Sequence, residues 1–167
     1  AGDDGEYPDP SMAIVIIPTD APTEATMESL TSDAVGLHGL FGTSCTTVAD
    51  GELMTPAAGG SCYILTAGDT PDSEFDIDTT GLSGVAVYAQ HIPIEFERDR
   101  HYFYDTSNPA VDIEPIAESD HDVAHSHGPA PAPSPGAFEW AGVFGLDGMT
   151  SPSKWSMQAA DDGTYPD

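Results

Sequence analysis

The sequence predicts a mainly β domain, a β-sandwich or jelly roll of about eight to nine strands with one short helix near residues 22–31. Short runs rich in β-branched and aromatic residues recur along the chain, with Gly, Pro and Asp clusters between them (ADG, AAGG, GDTPD, TTG). Such clusters punctuate strands by supplying turn conformations. Only one stretch, PTEATMESL, carries a helical spacing of apolar residues. The 167 residues are 39% hydrophobic, which suffices for one core, so residues 1–167 are expected to form a single domain.

Met12–Ile17 (MAIVII) is continuously apolar and β-branched, as in a strand buried on both faces, and Pro18 ends it. Asp20 or Thr23 can cap the helix that follows. In that helix Ala25, Met27 and Leu30 face inward, and the early Glu24 and Glu28 turn outward. Further strands are expected at Thr43–Ala49, Ser61–Ala67, Glu74–Asp78, Ser83–Gln90, Ile92–Glu97 and His101–Tyr104, and a closing pair at Ala137–Phe144 and Ser153–Gln158. Residues 118–136 (ESDHDVAHSHGPAPAPSPG) have almost nothing to bury. They read as a Pro/His-rich surface loop with polyproline II character.

Charge narrows the function classes. Three Lys plus Arg stand against 29 Asp plus Glu, a formal net charge of -26. That field opposes nucleic acid and anionic membrane surfaces. No apolar run reaches the roughly 20 residues of a membrane span. Self-repulsion on this scale calls for cations, high ionic strength or neutral glycan spacing. Cys45 and Cys62 are placed to close a loop in an oxidising compartment, where a bridge of this size contributes roughly 3 kcal/mol. The chain opens on AGDDGE without a Met, so an export signal is expected to have been removed or to lie outside it, and a secreted, extracellular location is expected.

The most telling feature is a duplication. Residues 1–9 (AGDDGEYPD) return at residues 159–167 as AADDGTYPD. Self-similarity at a fixed period marks tandem arrays. The pair therefore reads as a recurrent junction of a repeat unit; the competing reading is a favourable turn used twice. On the array reading Met12, Ile14, Val15, Ile16 and Ile17 form an edge strand. That edge is expected to pair with Trp155 and Met157 of the preceding unit, beside Tyr165 of the junction. Deleting residues 1–17 should then abolish assembly and leave a monomer.

Metal chemistry has three candidate locations. His121, His125 and His127 lie in the Pro/His tract and suit Zn²⁺ or Cu²⁺. His91 and His101, with Glu95, Glu97 and His38, could form a second site if the strand runs unbroken; the alternative is that they hydrogen-bond to backbone and hold a loop. Asp76 and Asp78 begin a loop with EF-hand spacing, but Val87 stands where the bidentate Glu is required. A looser Ca²⁺ site there, or at Asp3, Asp4 and Asp9, is the remaining form; ordinary turn chemistry is the other explanation. No cofactor is required. GxSxG, HExxH, CxxC and phosphate-loop patterns are missing and cationic clamps are scarce, so an enzyme is not expected.

The tract containing Pro129, Pro131, Pro133, Ser134 and Pro135 resembles the Ala-Pro/Ser-Pro glycomodules of arabinogalactan-type proteins, and the resemblance implies hydroxylated, O-glycosylated prolines. The only Asn, Asn108, precedes Pro and lies in no sequon. With the duplicated junction, the chain loosely resembles glycosylated extracellular filaments built from strand-linked β-domains. The expected function is a structural subunit of an extracellular filament or tandem-repeat fibre, its partners copies of itself, head to tail, and glycans. The alternative is a secreted Zn²⁺/Cu²⁺-binding module using His121, His125 and His127. A halophilic enzyme domain, resting on composition alone, is the third class.

Overall fold

The computed structural model describes residues 11–39, 43–106, 110–119, 138–146 and 153–159. Two β-sheets pack face to face, and a pair of helices covers the outer face of one of them, so the expected mainly β sandwich is the architecture found. In chain order the strands are β1 (Ser11–Pro18), β2 (Thr46–Ala49), β3 (Leu53–Met54), β4 (Ser61–Thr66), β5 (Asp72–Ile77) and β6 (Gly84–Ala89). Then come β7 (Phe103–Asp105), β8 (Val111–Asp112), β9 (Ala117–Glu118), β10 (Trp140–Gly145) and β11 (Ser153–Gln158). The six-stranded sheet has the order β2-β4-β1-β6-β10-β9, and the five-stranded sheet the order β3-β5-β11-β7-β8.

The MAIVII run behaves as its composition dictates. Met12 through Ile17 are all buried, and β1 lies between β4 and β6, antiparallel to both. Met12, Ile14 and Ile16 enter the core between the sheets, whereas Val15 and Ile17 pack under the helices with Met27, Ala34, Tyr88 and Val143. A strand wedged between two layers has no polar face, which is why the run does not alternate. The inter-sheet core is aromatic. Trp155 meets Tyr102 at 5.1 Å between ring centroids and Phe103 at 5.7 Å, and Phe103 stands edge-on to Phe144 at 4.9 Å.

The expected helix forms as α1 (Glu24–Ser29). Thr23 caps it, its hydroxyl accepting from the Thr26 N–H at 3.2 Å. A second helix, α2 (Thr31–His38), follows directly. Its sequence, TSDAVGLH, is poor in helix formers and shows no strong period; packing of Ala34 and His38 over β1 and β4 holds it instead. Ile92–Glu97, expected as a strand, is a 3₁₀ turn at Pro93–Phe96, because Pro93 has no N–H for a ladder. Cys45 and Cys62 form the expected disulfide. It stands where β2 begins to pair in parallel with β4, so it pins the outermost strand of the six-stranded sheet.

Candidate functional site

The chain enters and leaves the sandwich at one pole. Ser11, which opens β1, lies opposite Thr66, and a short loop over residues 67–71 carries the chain from there to Asp72 in the other sheet. Asp72 pairs with Gln158 near the end of β11, and the Ala159 N–H donates to the Pro71 carbonyl at 2.7 Å. Ser11 and Ala159, the described residues next to the two junction segments, therefore lie at the same end of the molecule.

That end merges into a polar network on the outer face of the five-stranded sheet. Strand alternation builds it: DSEFDI turns Asp72, Glu74 and Asp76 outward, and SKWSMQ turns Lys154, Ser156 and Gln158 outward in register with them. The chain has only three Lys and Arg residues, and all three converge here. Glu74 accepts from the Tyr104 hydroxyl at 2.7 Å, from the Lys154 ammonium at 3.1 Å, and from Arg100. Burial works to raise the Glu74 carboxyl, but hydrogen bonds from Tyr104 and Lys154 and the charges of Lys154 and Arg100 hold it below its ordinary value. Burial, then the hydrogen bond and charge of Glu74, push the Tyr104 phenol up to about 12.

Gln158, only 3% exposed, organises the other half. Its Oε1 accepts from three successive backbone N–H groups, of Arg98, Asp99 and Arg100, at 3.0, 3.2 and 3.1 Å. Its Nε2 donates to Asp72 at 3.2 Å and to Asp99 at 2.6 Å. Arg98 then reaches back to the Ala159 carbonyl at 3.1 Å and to Asp72 at 2.7 Å. The last residues of β11 are thus fastened from both sides where the chain departs toward its junction segment. Chemically the network is an anchor: every charge has an opposite partner within reach, and Gln158 satisfies donors and acceptors together. The sequence carried the signal for it in the alternation of two strands and in the rarity of Arg and Lys.

The expected assembly strand is corrected. Met12, Ile14, Val15, Ile16 and Ile17 do not form an edge; β1 is flanked on both sides within its own sheet. Trp155 and Met157 are core residues of β11, which is flanked by β5 and β7. Deleting residues 1–17 would remove the middle of a sheet and with it the fold. Residues 1–9 of the first junction copy and residues 160–167 of the second, Tyr165 among them, lie outside the described residues.

The metal candidates do not converge. His101 is wedged between the Glu97 carboxylate at 2.6 Å and the Ile113 carbonyl at 3.1 Å, its ring tilted 44° against that of Tyr102. His91 sits beside Phe96, its buried ring nitrogens without a hydrogen-bond partner among the described residues. The strand alternation that would have aligned His91 and Glu97 with Val85 and Val87 is interrupted by the 3₁₀ turn, and both valines face the core. His38 bonds the Gly39 carbonyl at 3.0 Å. Asp76 lies 3.5 Å from Lys154, and Asp78 accepts from the Thr80 N–H at 3.1 Å, the turn chemistry of a short Asp. Among the described residues no three His, Cys, Asp or Glu side chains are grouped to hold a metal ion. His121, His125 and His127, Asp3, Asp4 and Asp9, and Pro129, Pro131, Pro133, Ser134 and Pro135 lie outside the described residues. No helix among the described residues is long and apolar enough to cross a membrane.

Comparison with models of known protein families returns no match. None is found among curated proteins, nor among solved structures. The fold is a disulfide-pinned, helix-covered β-sandwich in which the start of β1 and the end of β11 lie at one charged pole.

Proposed function

We propose that the chain is a structural subunit of an extracellular filament or tandem-repeat surface fibre, its units joined head to tail through the AxDDGxYPD segments. One observation carries this reading. The repeated segment adjoins two strands, β1 and β11, that are each flanked on both sides within their own sheets. A pull transmitted through either junction therefore reaches the middle of a sheet, and at β11 it is first met by Arg98, Gln158 and the Pro71 carbonyl. Linkage of this kind leaves β1 and β11 paired within their own sheets, so it replaces exchange of those strands as the mechanism. The disulfide suits an oxidising, extracellular setting. The Pro-rich tract is the glycan attachment segment in this reading, and cations from the medium offset the acidic surface.

Negative-stain electron microscopy of the native material, paired with a denaturing gel, tests the proposal. Fibres that dissolve to a single band near 17.4 kDa, or somewhat above it with glycans, mean a noncovalent filament. Fibres giving a band many times larger mean a tandem polyprotein. Isolated single particles in native material overturn the reading.

A further inference from the structure

The lateral edges of the sandwich carry apolar side chains where soluble sheets ordinarily place charge or a covering loop. Among the described residues, four large apolar side chains are more than one-third exposed: Leu53 at 57%, Ile94 at 54%, Val111 at 49% and Ile116 at 59%. Three of them mark the edges. Leu53 belongs to β3, the outermost strand of the five-stranded sheet on the side where β2 is outermost in the other sheet. Val111 belongs to β8, the outermost strand on the opposite side, and Ile116 precedes β9 beside it.

Resting on the reading of a self-assembling subunit, we infer that copies associate edge to edge. The β2/β3 edge of one copy meets the β8/β9 edge of the next, with all junction poles on the same side. Strand direction agrees. β3 runs parallel to β5, away from the pole, and β8 runs antiparallel to β7, toward it. Side by side with poles aligned, β3 and β8 are antiparallel, the more stable ladder. β2 and β9 both run toward the pole, so the six-stranded sheets continue as a parallel pair.

The junction sets the same geometry. A chain that enters and leaves at one pole cannot thread units end to end without passing each body. Between the position of Ala159 and the next Ser11, one shared copy of the repeat supplies the counterparts of residues 2–10, a span of at most about 33–36 Å. Sheets of five and six strands are roughly 25–30 Å wide. A linker of that length therefore reaches a lateral neighbour with its pole aligned. Two different edges meeting without closure generate a filament rather than a dimer. Asp50 and Glu52 flank one edge, and Asp112, Glu114 and Glu118 the other. The contact therefore strengthens as salt or a divalent cation screens them.

Sedimentation of the full chain at assembling ionic strength tests this, using Leu53→Glu, Val111→Glu and, as a control away from the edges, Ile94→Glu. All three positions are exposed, so the fold is kept, which circular dichroism verifies. Leu53→Glu and Val111→Glu should each sediment as monomers, Ile94→Glu should assemble like the native chain, and a mixture of the first two should stop at heterodimers through their one intact edge pair. Assembly of Leu53→Glu or Val111→Glu alone overturns the edge inference while leaving the proposed function standing. Failure of the native chain to assemble overturns the edge inference and the noncovalent filament, and leaves the tandem polyprotein to be decided by the denaturing gel.

Discussion

Two neighbouring outward positions on β11 are almost equally hidden, yet replacing them should have opposite consequences. Gln158 is 3% exposed and Ser156 2%. Gln158→Leu keeps most of the volume but removes the acceptor for three N–H groups in residues 98–100 and the donor to Asp72 and Asp99. An unsatisfied buried donor costs about 1–3 kcal/mol, and a net hydrogen bond contributes about 0.5–1.5 kcal/mol. The loop is exposed enough for water to recover part of this. The expected loss is roughly 2–4 kcal/mol. Ser156 Oγ has no hydrogen-bond partner among the described residues, so Ser156→Ala removes a buried hydroxyl that gains nothing from the fold. It should leave stability within about 0.5 kcal/mol or raise it. Urea unfolding followed by tryptophan fluorescence, at one fixed salt concentration, reads both through the midpoint at unchanged m-value. A Gln158→Leu variant as stable as the native chain, or a Ser156→Ala variant as damaged as Gln158→Leu, refutes the anchoring role of the network.

Other consequences are equally concrete. Replacing Cys45 and Cys62 together by Ser should lower stability by about 3 kcal/mol, or roughly 6–12 °C in Tm for a chain of this size, read by a thermal melt; an unchanged melt would show that the pinned strand contributes little. At Gly142 an added Cβ would fall 2.6 Å from Cζ2 of Trp140, whose ring packs against Tyr102 and Trp155, so Gly142→Ala should cost about 1–3 kcal/mol and alter the near-ultraviolet circular dichroism. Burial pushes Tyr88 and Tyr104 each up to about 12 and raises Tyr102 further. Because these raised values favour the neutral phenols of the folded state, their contribution is fully present below about pH 10 and is lost as pH climbs toward 12. The phenolates of Tyr88, Tyr102 and Tyr104, followed as the absorbance lost in their Phe variants, should appear together with unfolding, whereas their smooth titration near pH 10 in an intact fold would contradict the burial.

Strand composition made much of the fold legible. MAIVII announced a strand covered on both faces, and the alternation in SKWSMQ and DSEFDI distinguishes core-facing from outward positions, though not which outward ones, such as Ser156 and Gln158, are hidden. What a buried run does not state is its neighbours: β1 reads the same whether its flanks are filled by β4 and β6 or by another molecule. The helix TSDAVGLH was hidden because packing on β1 and β4, rather than its own residues, stabilises it. Pro93 was the overlooked mark against a strand at Ile92–Glu97. The two-residue strands β3, β8 and β9 are too short to carry a period, and they are the edges from which the lateral contact is inferred. For the polar anchor, the outward positions were readable, but the meeting of Gln158 with residues 98–100 depends on a loop that only the packed fold folds back.

The most direct test of self-assembly is the sedimented mass of the native chain as ionic strength is raised. At low salt a formal charge of -26 keeps copies apart, so a monomer near 17.4 kDa is expected. At about 1 M salt the screening length falls to roughly 3 Å, and the mass should grow into a broad, concentration-dependent series. A single species of monomer mass at every salt concentration, with or without divalent cation, would contradict noncovalent self-assembly of the subunit.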